Sequence, residues 1–469
     1  MVTERKHRLI EIEWPEFGEA DPPPHPEADV YQSRIDAVRS RMGERDLTHV
    51  IVYGDREHFA NLAYLTGFDP RFEEALLIVS LTRMPLLVVG NECEGYLPIS
   101  PLYVAGRLRS ERFQPFSLLN QPRESSRFLS EILSDEGIEL GSRVGCVGWK
   151  YFHESEHPSG IHTIDLPSYI ADTLRDLSGY ESVVNATDVL MHPDYGLRAA
   201  CSADEIAYLE YSNVVASEGM RRMLTGLREG MTDHELASLS GYAGLPLGCH
   251  MTLATGERGN LGLSSPSGQN IRRGDRLSTN VCYWGSNICR AGWVAEGPSD
   301  LPEAAQDYVP AFAGPYLEAV ACWFDLLRIG TPGGELSRLI AEMLPYDRYG
   351  ITLNAGHLIH LDEWLSSPIY PGSDIALQSG MAIQVDIIPD SPVYFSTRVE
   401  DGVVLADAAL RAALRARYPS CYERCQARRT FMAEVLGLEL PVEVLPLSNI
   451  PGIVPPFLLH PNLVLALEA

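Results

Sequence analysis

The sequence predicts an α/β protein in two parts: a smaller domain around a covered sheet, then a larger domain built from two similar halves. Three features predict it. At 469 residues the chain is too long for one ordinary hydrophobic core. Short β-rich runs alternate with helical patterns through its first 187 residues. In its second part, Leu227-Arg-Glu-Gly230-Met-Thr-Asp-His-Glu235-Leu236 recurs as Leu327-Arg-Ile-Gly330-Thr-Pro-Gly-Gly-Glu335-Leu336.

Residues 1–28 read as an extended arm, with Pro15, Pro22, Pro23, Pro24 and Pro26 set among acids; such a segment orders only by docking. The smaller domain is expected over 29–187. It opens with a helix from about Tyr31 to Met42, which Gly43 can end. Strands are expected at Thr48–Tyr53, Ala75–Leu81, Pro85–Val89 and Arg143–Val147, with helical patterns near 56–64, 124–136 and 167–176. The stretch Asp188–Ala200, with Pro193 and Gly196, reads as a linker.

The larger domain is expected over 199–438, followed by a tail at 439–469. Ser202-Ala-Asp-Glu205 is a capping box: the serine hydroxyl accepts from an orphan amide and the glutamate reaches back. The helix it opens carries an apolar face (Ile206, Leu209, Val214, Met220, Met223, Leu224, Leu227), and a turn at Gly230 stops it. In the repeat, Leu, Arg, Gly, Glu and Leu coincide in register. Each copy follows a long helix and precedes a second helix and a β-rich run, near 248–255 and 350–355. Duplicated halves share one core and leave a cleft between them.

Apolar content of 45% and charged content of 21% are those of an ordinary globular chain. A net charge of -26 argues against nucleic acid or an anionic membrane surface as partner, since both would repel it. The nine cysteines are scattered, with no Cys-x-x-Cys pair, as expected of reduced thiols in a cytoplasmic protein. Met1–Trp14 holds no apolar core of a signal peptide, and no run reaches the length of a membrane span.

In order and spacing, Gly274-Asp275, Gly356-His357, Gly380-Met381 and Arg398-Val-Glu400-Asp401 resemble the motifs of the creatinase/methionine-aminopeptidase family. The segment THVIVYGDREHFANLAYLTGF resembles the extra N-terminal domain of the creatinase, aminopeptidase P and prolidase branch. The resemblance spans about residues 30–408 and implies a creatinase-type α/β domain followed by a pseudo-twofold "pita-bread" domain. It also implies a homodimer and a small-molecule or short-peptide substrate.

Catalytic members hold two divalent ions with two Asp, one His and two Glu. Carried over by position, the ligands fall on Asn280, then Ala291 or Asn287, then His357, Asp386 and Glu400. Neither alignment restores the aspartates, and the family's catalytic His position is Leu263. Too few carboxylates remain for two dications. The resemblance therefore implies either no cofactor or a single Mn, Fe, Co or Zn ion held by His357, Asp386 and Glu400.

Creatinase is a metal-free precedent in the same family, with Asn at the position of Asn280, but its base falls on Leu263. Candidates to replace that base are His357, His250 and His360, with Glu400 as a further acid–base group. Asn280, Arg398, Arg258 and Asp362 are candidate substrate contacts; an arginine can hold a carboxylate through two hydrogen bonds. Cys289, beside Arg290, reads as a buried apolar residue rather than a nucleophile. The expected function is a cytoplasmic hydrolase of a C–N bond in an amino-acid-like or peptide substrate. A catalytically silent binding protein is one alternative. A carbon–sulfur lyase is another, because Asp362-Glu363-Trp364 resembles a segment of dimethylsulfoniopropionate lyase on the same fold.

Overall fold

The computed structural model describes residues 5–468, so the first four residues of the 1–28 arm lie outside it. Two compact units result, 24–198 and 1–23 with 199–469. The first extends beyond residue 187 to take in most of the expected linker, which includes the one-turn helix Asp188–Met191.

The 24–198 unit is a six-stranded mixed sheet with helices. Along the sheet the strands run Arg109–Arg112, Leu86–Val89, Ala75–Ser80, His49–Gly54, Val144–Val147 and Val183–Asn185. The central strands are apolar and buried on both faces, which is why they stand out in the sequence. Helices Ala28–Glu44, Ala60–Thr66, Leu129–Asp135 and Ser168–Ser178 fall where periodicity puts them. The sequence reading misses two edge strands. Arg-Ser-Glu-Arg at 109–112 carries the charges that protect an edge, and Val183–Asn185 is only three residues long.

The other unit has the expected internal repeat, although the β-rich run expected near 350–355 forms no strand and the strand comes at His357–Leu358. The Ser202–Glu205 capping box forms and opens the helix Ala203–Gly226. After it come Asp233–Ser238 and strands Leu253–Thr255, Arg276–Tyr283 and Ser286–Trp293. In the second half Gly314–Leu326, Gly333–Met343, His357–Leu358, Ala382–Gln384 and Gly402–Leu405 follow in the same order. Matching hydrogen bonds recur: Gly230 N–H to Ile271 O and Gly330 N–H to Leu377 O, both 2.8 Å. Gly274 N–H to Val294 O (2.8 Å) is likewise matched by Gly380 N–H to Leu405 O (2.7 Å). Gly230 and Gly330, with φ of +88° and +92°, make the same left-handed turn, one that side chains rarely allow.

The halves form two four-stranded antiparallel sheets. The chain crosses from one to the other at Asp401, between strands Arg398–Glu400 and Gly402–Leu405. Asp401 is fixed there by buried Arg290, at 2.9 and 3.1 Å, and by Gly452 N–H.

The arm and tail of the sequence reading come together in this unit. His7–Glu11 pairs antiparallel with Leu463–Leu467, Phe17 packs on Phe431, and Val444–Pro446 completes the second sheet. No helix among the described residues is long and apolar enough to cross a membrane.

Candidate active site at the seam of two sheets

Five segments meet where the chain changes sheet. His357 begins a short strand paired with Gln384. Gly356 before it has φ +124°, and a Cβ there would press on Gln384 O and the Trp323 ring at 3.0 and 3.1 Å. Asp386 lies just past Ala382–Gln384, and Val385 N–H bonds Asp401 O across the seam. Glu400 ends its strand opposite Cys289. Asn280 and Asn287 sit on the two strands of the Arg276–Trp293 hairpin. The fifth segment is the loop after His357. It doubles back through Leu358 N–H to Ser366 O (2.7 Å) and Leu365 N–H to Leu358 O (2.9 Å), bringing Glu363 and Trp364 onto the His357 ring.

His357 is fully buried and stacks on Trp364, with ring centroids 4.1 Å apart. Its Nδ1 is 3.2 Å from Leu358 O; donation there leaves Nε2 as the free lone pair of the neutral ring. Nε2 faces Glu363 Oε1 at 3.3 Å and Asp386 Oδ2 at 3.8 Å. Ligand atoms of His357, Glu363 and Glu400 all lie within 4.8 Å of one another. Yet His357 Nε2, Asp386 Oδ1 and Arg398 Nε are buried without an aligned hydrogen-bond partner. Buried polar atoms without partners cost free energy unless a ligand satisfies them.

The carboxylates are pushed apart electrostatically. Burial raises the Glu400 pKa, the charges of Asp386 and Glu363 raise it further, and it ends well above the carboxylate range. Burial also raises Asp386, against the pull of His357. Glu363 feels the same burial, but contact with His357 outweighs it and leaves its pKa lowered. For His357, burial lowers the pKa, and Glu363 and Asp386 more than reverse that. The Cys289 thiol is held protonated by burial and by Glu400, which suits an inert residue.

Several expectations change here. Three carboxylates surround His357, not two, because Glu363 joins Asp386 and Glu400. Glu363, next to the expected Asp362, is the one at Nε2; Asp362 is buried and its carbonyl accepts from His360 N–H. His360 faces Glu205 of the long helix at 3.3 Å. His250 is exposed, with Nε2 3.3 Å from Leu263 O, and does not join the cluster. Leu263 is itself 84% exposed. Arg258 lies in the turn Gly256–Arg258, without an ion pair among the described residues. Arg398 lies opposite Ala291 and acts electrostatically on Asp386 and Glu400.

Of the two residues offered for the second position, Asn287 and not Ala291 contacts the carboxylates. Both share the face of Asn280, but only Asn287 reaches Glu400 Oε1 (2.7 Å) and Glu363 Oε1 (3.3 Å). Strand register places Asn287 near because the hairpin turns tightly at Trp284-Gly285.

One divalent ion fits the chemistry of His357, Glu363 and Glu400, with Asp386 adjacent: a free imidazole nitrogen opposite carboxylates is a ligand set for Zn, Mn, Fe or Co. A second ion does not fit. Asn280 Oδ1 is already bonded by Thr252 N–H at 2.6 Å, and Asn287 presents N–H donors, which cannot coordinate a cation.

No protein-family profile matches this chain, and no curated protein matches it in sequence. Solved structures do match in fold. A prolidase from Pyrococcus horikoshii is 17% identical with a TM-score of 0.61, over 80% of this chain and 95% of its own. A prolidase from Thermococcus sibiricus is 18% identical with a TM-score of 0.62, over 80% and 95%. A variant of Escherichia coli aminopeptidase P is 15% identical with a TM-score of 0.54, over 85% and 99%. The chain has the fold of these pita-bread proteins.

Proposed function

We propose that this chain, which shares the fold of prolidase and aminopeptidase P, is a hydrolase of a C–N bond in a small amino-acid-like or short peptide substrate. The observation that carries the reading is the convergence of His357, Glu363, Asp386 and Glu400 on one buried spot, with His357 Nε2 and Asp386 Oδ1 left for a ligand. Hydrolysis of a C–N bond needs a group that takes a proton from water and one that gives a proton to the leaving nitrogen. Glu363, kept ionised by His357, suits the first role, and Glu400, held protonated by its surroundings, suits the second. Arg398, near Asp386 and Glu400, is placed to hold a substrate carboxylate.

A single divalent ion would be an alternative to the proton on Glu400: held by His357, Glu363 and ionised Glu400, it would supply Lewis acidity to the substrate carbonyl and lower the pKa of bound water in place of that acid–base pair. The same reading takes the protein as a cytoplasmic homodimer. The test is release of free amine from Xaa-Pro dipeptides and tripeptides, other short peptides and guanidino acids. Turnover should be lost in His357→Ala and in Glu363→Gln. No turnover of any such substrate, or turnover unchanged in His357→Ala, would reject the hydrolase and favour a binding protein.

A second reading, a carbon–sulfur lyase, is favoured by the placement of Glu363 and Trp364 against His357, since Asp362-Glu363-Trp364 is the segment that resembles such a lyase. Release of dimethyl sulfide from a sulfonium acid, without amine release from peptides, would select it.

A further inference from the structure

The Asn280–Asn287 pair has a polarity that hydrolysis does not require. It is set by a backbone amide: Thr252 N–H can only donate, and it lies 2.6 Å from Asn280 Oδ1. The Asn280 amide nitrogen must then point the other way, to Asn287 Oδ1 at 3.3 Å and Cys249 Sγ at 3.2 Å. Asn287, receiving at its oxygen, turns its own Nδ2 to Glu400 Oε1 at 2.7 Å and Glu363 Oε1 at 3.3 Å. Amide orientation is usually ambiguous, but here a fixed donor at one end decides the whole chain. Both asparagines are buried on one face of the hairpin, opposite Cys289 and Cys282. The neighbouring thiols do not make a metal site: among the described residues only His357, Glu363 and Glu400 come close enough.

Glu363 and Glu400 are thus bridged by a single neutral NH2. It offers each of them partial positive charge, as a cation would, without being able to bind one. We propose that Asn287 is a positioning residue standing in place of a second cation: its amide ties Glu363 to Glu400 and, backed by Asn280, closes the site to a second divalent ion. The inference rests on His357, Glu363 and Glu400 as the working groups, whichever reaction they perform.

The test is uptake of Mn²⁺ by protein prepared metal-free, counted by mass spectrometry and read by electron paramagnetic resonance. Wild-type protein should take up at most one equivalent, with the spectrum of an isolated ion. The double variant Asn280→Asp, Asn287→Asp should take up two equivalents and show the spectrum of an exchange-coupled pair. Two equivalents in wild-type protein would overturn the proposal without any variant. A folded double variant, with unchanged circular dichroism, that gains no ion would overturn it too; if it does not fold, Asn287→Asp alone is read the same way. Failure to turn over any peptide would reject the hydrolase and leave these counts standing.

Discussion

Replacing Glu363 with glutamine in metal-free protein should cost stability in acid and little or none in alkali. Glu363 Oε1 lies 3.3 Å from His357 Nε2, and about a quarter of the Glu363 side chain (24%) stays exposed. Burial alone lowers the His357 pKa, but Glu363 and Asp386 raise it above the ordinary imidazole value. A base raised in this way gives stability that is complete below its unfolded pKa, about 6.5, and is lost as pH climbs through the folded value. The 3.3 Å contact is an ion pair without hydrogen-bond alignment, and for a partly exposed pair of this kind the contribution is at most about 1 kcal/mol. The expected loss for Glu363→Gln is therefore about 1 kcal/mol near pH 5.5. Once the imidazole is neutral, the main effect of Glu363 is its repulsion of Glu400 and Asp386, which glutamine removes. By about pH 9 the loss should shrink to nothing or reverse sign. Urea unfolding in EDTA at the two pH values, followed by tryptophan fluorescence and circular dichroism, measures the difference. A loss at the higher pH as large as at the lower would refute the assigned pairing.

Other outcomes follow from the same geometry. His357→Ala should lower turnover by at least about 10²-fold and remove any bound ion, as read by steady-state kinetics and elemental analysis. Asp401→Asn should destabilise the protein by about 3–5 kcal/mol, because it strands the buried Arg290 guanidinium at the crossing between sheets; a denaturation loss below about 1 kcal/mol would contradict that role. His250→Ala, at an exposed position, should leave stability within about 0.5 kcal/mol and turnover unaffected; a collapse in rate would put His250 back in the site.

The sequence alone was sufficient wherever the signal is local. Helix periodicity, the Ser202–Glu205 box and the turn glycines Gly230 and Gly330 depend on neighbours a few residues away, so the elements and the repeat could be read directly. Motif spacing placed His357, Asp386 and Glu400, and those residues do meet. Glu363 was not legible, because nothing near it in the chain says which of Asp362 and Glu363 will face His357. That is decided by the return of the loop from Leu358 to Ser366. Asn287 and Ala291 share a face of the same strand, and only proximity to Glu400 separates them. His250 was a candidate from its place in an expected β-rich run, yet the strand begins only at Leu253 and His250 lies exposed in the loop before it. Only tertiary structure could show that the arm and tail pair as strands, or that three carboxylates gather around one buried histidine. Strand pairing, desolvation and charge repulsion act between residues far apart in the chain, and the pKa separation of Glu363 from Glu400 exists only once they are brought together.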